Sequence, residues 1–108
     1  MAITVILADD HKIIRDGLRT LIESQQGMQV IAEAENGRET IKLAKELQPN
    51  VVIMDISMPD LNGIDATREI VNSIPGVKVI ALSMHSDRRF VSGMLSAGAS
   101  GYLLKDCA

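Results

Sequence analysis

At four points in this chain an apolar run ends on a residue able to do chemistry. ITVILA (3–8) runs into Asp9-Asp10, VVIM (51–54) into Asp55, VKVIAL (77–82) into Ser83, and GYLL (101–104) into Lys105. Carboxylates brought close repel one another, and the repulsion is relieved by holding a proton or by binding a cation. Oxygen ligands with room for water suit Mg2+, which takes a few carboxylates together with phosphate oxygens. The ammonium of Lys105 and the hydroxyl of Ser83 are natural partners for those phosphoryl oxygens. A carboxylate can itself be the nucleophile, forming an aspartyl phosphate. The cation and the lysine would then neutralise charge on the transferring group.

Taken singly, these residues have ordinary explanations. An Asp after a strand is most often the N-cap of the next helix, a role open to Asp10. Ser83 suits a cap as well as a ligand, and Lys105 suits a solvated surface. Asp55 stands apart, because the loop ISMPDLN (56–62) runs on to Gly63 before the next helical pattern begins, too far for a simple cap. His11 reads as a helix-start residue, since one imidazole beside a hard-oxygen site is a poor match for the metals such sites take. Met54, Met58, Met84 and Met94 read as packing, with Met58 and Met84 on loops where they could also shield the site.

Whether the chemical groups meet depends on the elements that carry them. ITVILA is continuously apolar, as in a parallel strand covered on both faces. Ile14, Leu18, Leu21 and Ile22 then recur at helical spacing, up to Gly27. MQVIAEA (28–34) reads as a strand with polar Gln29 and Glu33 on it, which suits a sheet edge. Asn36-Gly37 forms a turn, and a helix runs through Ile41, Ala44 and Leu47 to Pro49. VVIM is apolar on both faces and therefore central. Thr67, Ile70, Val71 and Ile74 mark a third helix, closed by Pro75-Gly76. VKVIALS (77–83) is the fourth strand. Val91, Met94, Leu95 and Gly98 mark the fourth helix, and residues 101–104 the fifth strand.

The pattern is (βα)4β, an α/β fold with a doubly wound parallel sheet of five strands, because parallel crossovers are right-handed. In such sheets ligands bind at the carboxyl ends of the strands, where the strand order reverses. Asp9, Asp10, Asp55, Ser83 and Lys105 all lie at those ends, and the amino ends carry no comparable set. A fifth helix is expected after the fifth strand. Without it one sheet face stays partly bare, so the expectation is a truncated domain with an apolar patch that self-associates.

Composition narrows the class further. A chain of 108 residues holds one core, and with Phe90 and Tyr102 as its aromatics that core is aliphatic. A net charge of −3 gives no basic face for nucleic acid. Cys107 has no cysteine to pair with, so a reducing cytoplasm is expected. No stretch reads as a signal peptide or reaches the roughly 20 apolar residues of a membrane span.

The motifs ADDH (8–11), IMDISMPDLNG (53–63), ALSMHSD (81–87) and GASGYLLKD (98–106) together resemble the receiver domain of response regulators in two-component signalling. The wording of DDHKIIRDGL, MDISMPDLNGIDATR and GYLLKD is similar to the NarL/FixJ class, whose LuxR-type output domain is a helix-turn-helix. The resemblance covers essentially the whole chain. It implies the flavodoxin-like strand order 2-1-3-4-5 and a receiver unit spanning 1–108, without its usual last helix and output domain.

It also implies roles, residue by residue. Asp55 would accept a phosphoryl group from a sensor histidine kinase. Asp10 would ligate Mg2+ (or Mn2+) directly and Asp9 mainly through water, with the Ser57 backbone carbonyl completing the metal site. Ser83 would hydrogen-bond a phosphoryl oxygen and move on activation, and Lys105 would pair with the phosphate. Tyr102 would be an aromatic switch coupled to Ser83. Ser57 and His85 occupy positions that tune phosphate loss. DNA would be reached only through the output domain, and no membrane is involved.

Rival readings fare less well. A phosphatase with an aspartate nucleophile generally needs a second acid two residues on, and here that residue is Ser57. A phosphate-independent module of the same fold typically lacks an acid or the lysine, whereas this chain has them all; it is the alternative to the switch. A flavodoxin-like cofactor binder would meet an acidic loop that repels phosphate unless a cation intervened.

Overall fold

Side-chain alternation along the first strand shows how the molecule is layered. In strand β1 (Ile3–Ala8), Val5 and Leu7 pack with Ile14, Leu18 and Ile22 of helix α1 (Lys12–Glu23) on one side of the sheet. Ile6 and Ala8 face the other way, into a larger core with Val52, Met54, Ile70, Val79 and Met94. This is the two-faced burial that continuous apolar strands require. The computed structural model describes residues 2–56, 58, 61–83 and 88–104.

Strand β2 (Met28–Ala34) follows α1, then helix α2 (Gly37–Leu47), β3 (Val51–Asp55), α3 (Gly63–Ser73), β4 (Lys78–Ser83), α4 (Arg88–Ser96) and β5 (Gly101–Leu104). All pairings are parallel and the order is β2-β1-β3-β4-β5, as the resemblance implies. β3 is central and β2, with its intruding Gln29 and Glu33, is an edge. The β1–β2 register slips by one residue between Val5 and Ile6, after which Leu7 lies beside Glu33.

Three leucines depart from the helical stripes expected of them. Leu21, Leu47 and Leu95 are 65%, 43% and 47% exposed. Leu21 adjoins Ile22 and Leu95 adjoins Met94, both buried. A step of one residue turns about 100° round a helix, which carries the neighbour off the covered face. Asn36 does more than turn the chain: its side chain accepts a hydrogen bond from the Glu39 amide and caps α2.

Across the seam between α2 and α3, Lys45 Nζ lies 2.9 Å from Glu69 Oε1. Lys45, helped by the Ser73 hydroxyl, holds the Glu69 carboxyl below its ordinary value of 4.5. A carboxyl depressed in the folded state contributes stability that is present above the unfolded value and lost as pH falls through the folded one. Glu69→Gln is therefore expected to flatten the acid side of the stability–pH profile slightly. The difference should vanish in high salt, because the pair is exposed and screened. Urea unfolding between neutral pH and pH 3, at low and high salt, checks this.

Candidate functional site: an acidic pocket at the carboxyl end of the sheet

Register alone brings the acids together. Ala8 pairs with Met54 across β1 and β3, so the next residues, Asp9 and Asp55, emerge side by side at the sheet's end. Parallel strands lie about 4.8 Å apart. Asp9 and Asp55 are 1% and 2% exposed, while the Asp10 side chain keeps about a third of its surface open. One ligand atom from each of Asp9, Asp10, His11 and Asp55 lies within 4.8 Å of the others. The pocket is thus walled by buried carboxylates and open to solvent at Asp10.

Asp9 is fixed by main-chain geometry. The Asp9 amide donates to the Ala34 carbonyl at 3.0 Å, tying the end of β1 to the end of β2. Asp9 Oδ1 accepts from the His11 amide at 2.8 Å, and His11 Nδ1 lies 2.8 Å from the same oxygen and 3.2 Å from Asp10 Oδ1. Carboxylates only accept, so the fitting imidazole carries its proton on Nδ1. Asp9 Oδ2 and Asp55 Oδ2 are buried atoms that accept no hydrogen bond among the described residues, although both side chains have other partners.

His11 is the N-cap residue of α1, as a helix-start reading requires, and its ring also lies against the acids. Asp10 is not that cap. Ser83 closes β4, 5% exposed, next to the strand that ends in Asp55. Tyr102 is half exposed on β5, paired with Ala81 in register. Ser57, Met84, His85, Lys105 and Cys107 lie outside the described residues. Met54, Met58 and Met94 are buried, so Met58 packs into the core.

The start of α3 packs against the end of β3. The Gly63 amide donates to the Ile56 carbonyl at 2.9 Å, and the Asn62 side chain caps α3 by accepting from the Asp65 amide at 2.9 Å. A Cβ on Gly63 would collide with the Asp55 carbonyl oxygen, and one on Gly37 with the Leu61 carbonyl oxygen. Sequence reasoning saw these glycines as turn and helix starts and missed the close approach they permit. It also missed Arg15, a buried cation that donates to the Asp9 carbonyl.

Concentrated negative charge of this kind repels a bare phosphate and attracts a small hard cation. Carboxylate oxygens set around a partly open position fit Mg2+ or Mn2+, which keep some sites for water or phosphate.

The family model described as the response regulator receiver domain matches residues 5–108. The chain is 46% identical over 104 residues to the transcriptional regulatory protein LnrK of Bacillus subtilis (strain 168), covering 96% of this chain and 47% of that protein. It is 39% identical over 104 residues to the transcriptional regulatory protein DegU of Brevibacillus brevis, covering 96% of this chain and 44% of that one. The chain thus spans about half the length of these relatives. Among solved structures, a two-component response regulator of the LuxR family from Aurantimonas sp. SI85-9A1 superposes with a TM-score of 0.91 at 38% identity, covering 97% of this chain and 75% of that one. No helix among the described residues is long and apolar enough to cross a membrane.

Proposed function

Because the chain belongs to the response regulator receiver domain family, we propose that it is a phosphorylation-driven switch whose phosphoacceptor is Asp55. The observation that carries this reading is the convergence of Asp9, Asp10 and Asp55 at one end of the sheet, with Asp55 closing the central strand.

In this reading an Asp55 carboxylate oxygen attacks the phosphorus of a phosphohistidine on a sensor histidine kinase. The new O–P bond replaces the P–N bond, and the departing imidazole takes up a proton. Asp9, Asp10, Asp55 and the Ser57 carbonyl would hold Mg2+ or Mn2+, with Asp9 acting mainly through water. When bound, the cation supplies charge neutralisation for the phosphoryl oxygens. Ser83 donates to one of those oxygens and Lys105 pairs with another. Ser83 and Tyr102 then shift together, which biases a two-state surface on the outer strands. The chain acts as a switch, and the chemistry it performs is gain and loss of its own phosphoryl group.

The relatives are about twice as long, which supports a parent protein in which this unit controls a helix-turn-helix output domain on DNA. A cytoplasmic setting follows from that role.

Intact mass after incubation with acetyl phosphate tests the reading, with Mg2+ and with a chelator, on this chain and on one extended by its parent's following segment. A single phosphoryl adduct that requires the cation is expected. Absence of an adduct in both chains would favour a phosphate-independent interaction module.

A further inference from the structure

Arg15 lies in the first turns of α1, yet it is only 7% exposed. Arginine is seldom buried unless paired. Its Nη1 donates to the Asp9 carbonyl at 2.6 Å, its Nε donates to Glu33 Oε1 at 2.9 Å, and its Nη2 lies 3.5 Å from Glu35 Oε1. Arg19 Nε holds the other Glu33 oxygen at 3.1 Å. Arg15, Arg19, Glu33 and Glu35 have no part in the phosphoryl chemistry above.

We propose that Arg15 is a positioning residue of the acidic pocket, fixing the peptide unit between Asp9 and Asp10 so that both carboxylates face the cation. The inference rests on the cation-binding reading of that pocket.

The Asp9 carbonyl and the Asp10 amide belong to one planar unit. The Asp9 amide is already held by Ala34, so the hydrogen bond from Arg15 fixes the peptide planes on both sides of the Asp9 Cα. With the His11 amide on Oδ1, the Asp9 carboxylate is left little freedom to turn. Glu33 completes the device. The register slip in β2 places it beside Leu7, on the face that α1 covers, and therefore within reach of Arg15. A slip of one residue reverses the face a side chain points to. Paired with Glu33, the guanidinium spends its charge away from the pocket and meets Asp9 through the carbonyl, so it does not compete with a cation for the carboxylates.

A purely structural ion pair would only staple α1 to β2, and the two roles separate experimentally. Amide 1H–15N spectra of the wild type, Arg15→Ala, Arg15→Lys and Glu33→Gln are recorded during Mg2+ titration, at a temperature where each is folded by circular dichroism. Arg15→Ala is expected to displace the Asp10 amide resonance before any cation is added. It should also raise the Mg2+ dissociation constant on the order of tenfold, the usual effect of removing a partner that orients a metal ligand. Arg15→Lys, which can still reach the Asp9 carbonyl, should recover part of the affinity even if the alanine variant fails to fold.

Variants that lose thermal stability but bind Mg2+ like the wild type would overturn the proposal. If the wild type itself shows no Mg2+-dependent shifts, the cation reading fails and the orientation toward a cation fails with it. The Asp10 resonance would then report, by itself, whether Arg15 holds that peptide.

Discussion

Replacing Asp55 by asparagine is expected to abolish phosphoryl incorporation and, in the absence of divalent cation, to make the protein more stable. Both outcomes come from the same position. Asp55 is 2% exposed, and a carboxylate oxygen of it shares a space less than 5 Å across with oxygens of Asp9 and Asp10. An amide of the same shape has no anionic oxygen to attack phosphorus. It also removes one of three mutually repelling charges.

Two unit charges about 5 Å apart at an effective dielectric of about 20 interact by about 3 kcal/mol. Other interactions of the Asp55 side chain offset much of this, leaving a net gain of about 1 kcal/mol, or several degrees in Tm. Mg2+ should raise the wild-type Tm by binding the folded state alone, and should raise that of the variant less. Calorimetry with and without Mg2+, beside intact mass, reads all of these. A variant that still takes up phosphate would place the acceptor elsewhere. A variant less stable than the wild type without cation would mean that favourable partners, rather than tolerated repulsion, govern the Asp55 carboxylate.

The parts of this site that depend on strand ends were legible in the sequence. Continuous runs such as ITVILA and VVIM announce buried parallel strands, and their last residues must lie at one end of the sheet. That Asp9 and Asp55 share one end follows from that with no knowledge of side chains, whereas their standing side by side needs the strand order, which the family resemblance implied. Arg15 and Glu33 were not legible, because their meeting needs β2 beside β1, α1 over that face, and a one-residue slip in register. Nothing in the local pattern of either residue encodes all three. Leu21 and Leu95 failed for a milder reason. Periodicity marks a broad apolar sector, and the covered part of it depends on where the sheet ends.

Gly63 shows a requirement that sequence marks without explaining. Gly-to-Ala in a helix normally stabilises by about 0.5–1 kcal/mol, through the entropy of the unfolded chain and helix propensity. Gly17, inside α1 with nothing within 4 Å of an added Cβ, should show that gain. At Gly63, the first residue of α3, the sign is expected to reverse. The new methyl would meet the Asp55 carbonyl oxygen and lie 2.9 Å from the Asp55 carbonyl carbon and from the Ile56 Cα. All of these are backbone atoms of the strand end, which no rotamer change can move aside.

A loss of roughly 3 kcal/mol is expected, at the upper end for overpacking. For a domain of this size that lowers Tm by more than 10 °C. The collision is relieved only if the start of α3 lifts away from β3, breaking the 2.9 Å bond from the Gly63 amide to the Ile56 carbonyl. The loop between Asp55 and α3 would move with it. Folded Gly63→Ala protein should therefore also take up phosphate from acetyl phosphate more slowly, while Gly17→Ala reacts like the wild type. Urea unfolding and the time course of adduct formation separate the two losses. Wild-type stability in Gly63→Ala would show that the strand end yields, and that the close approach does not hold the acceptor in place.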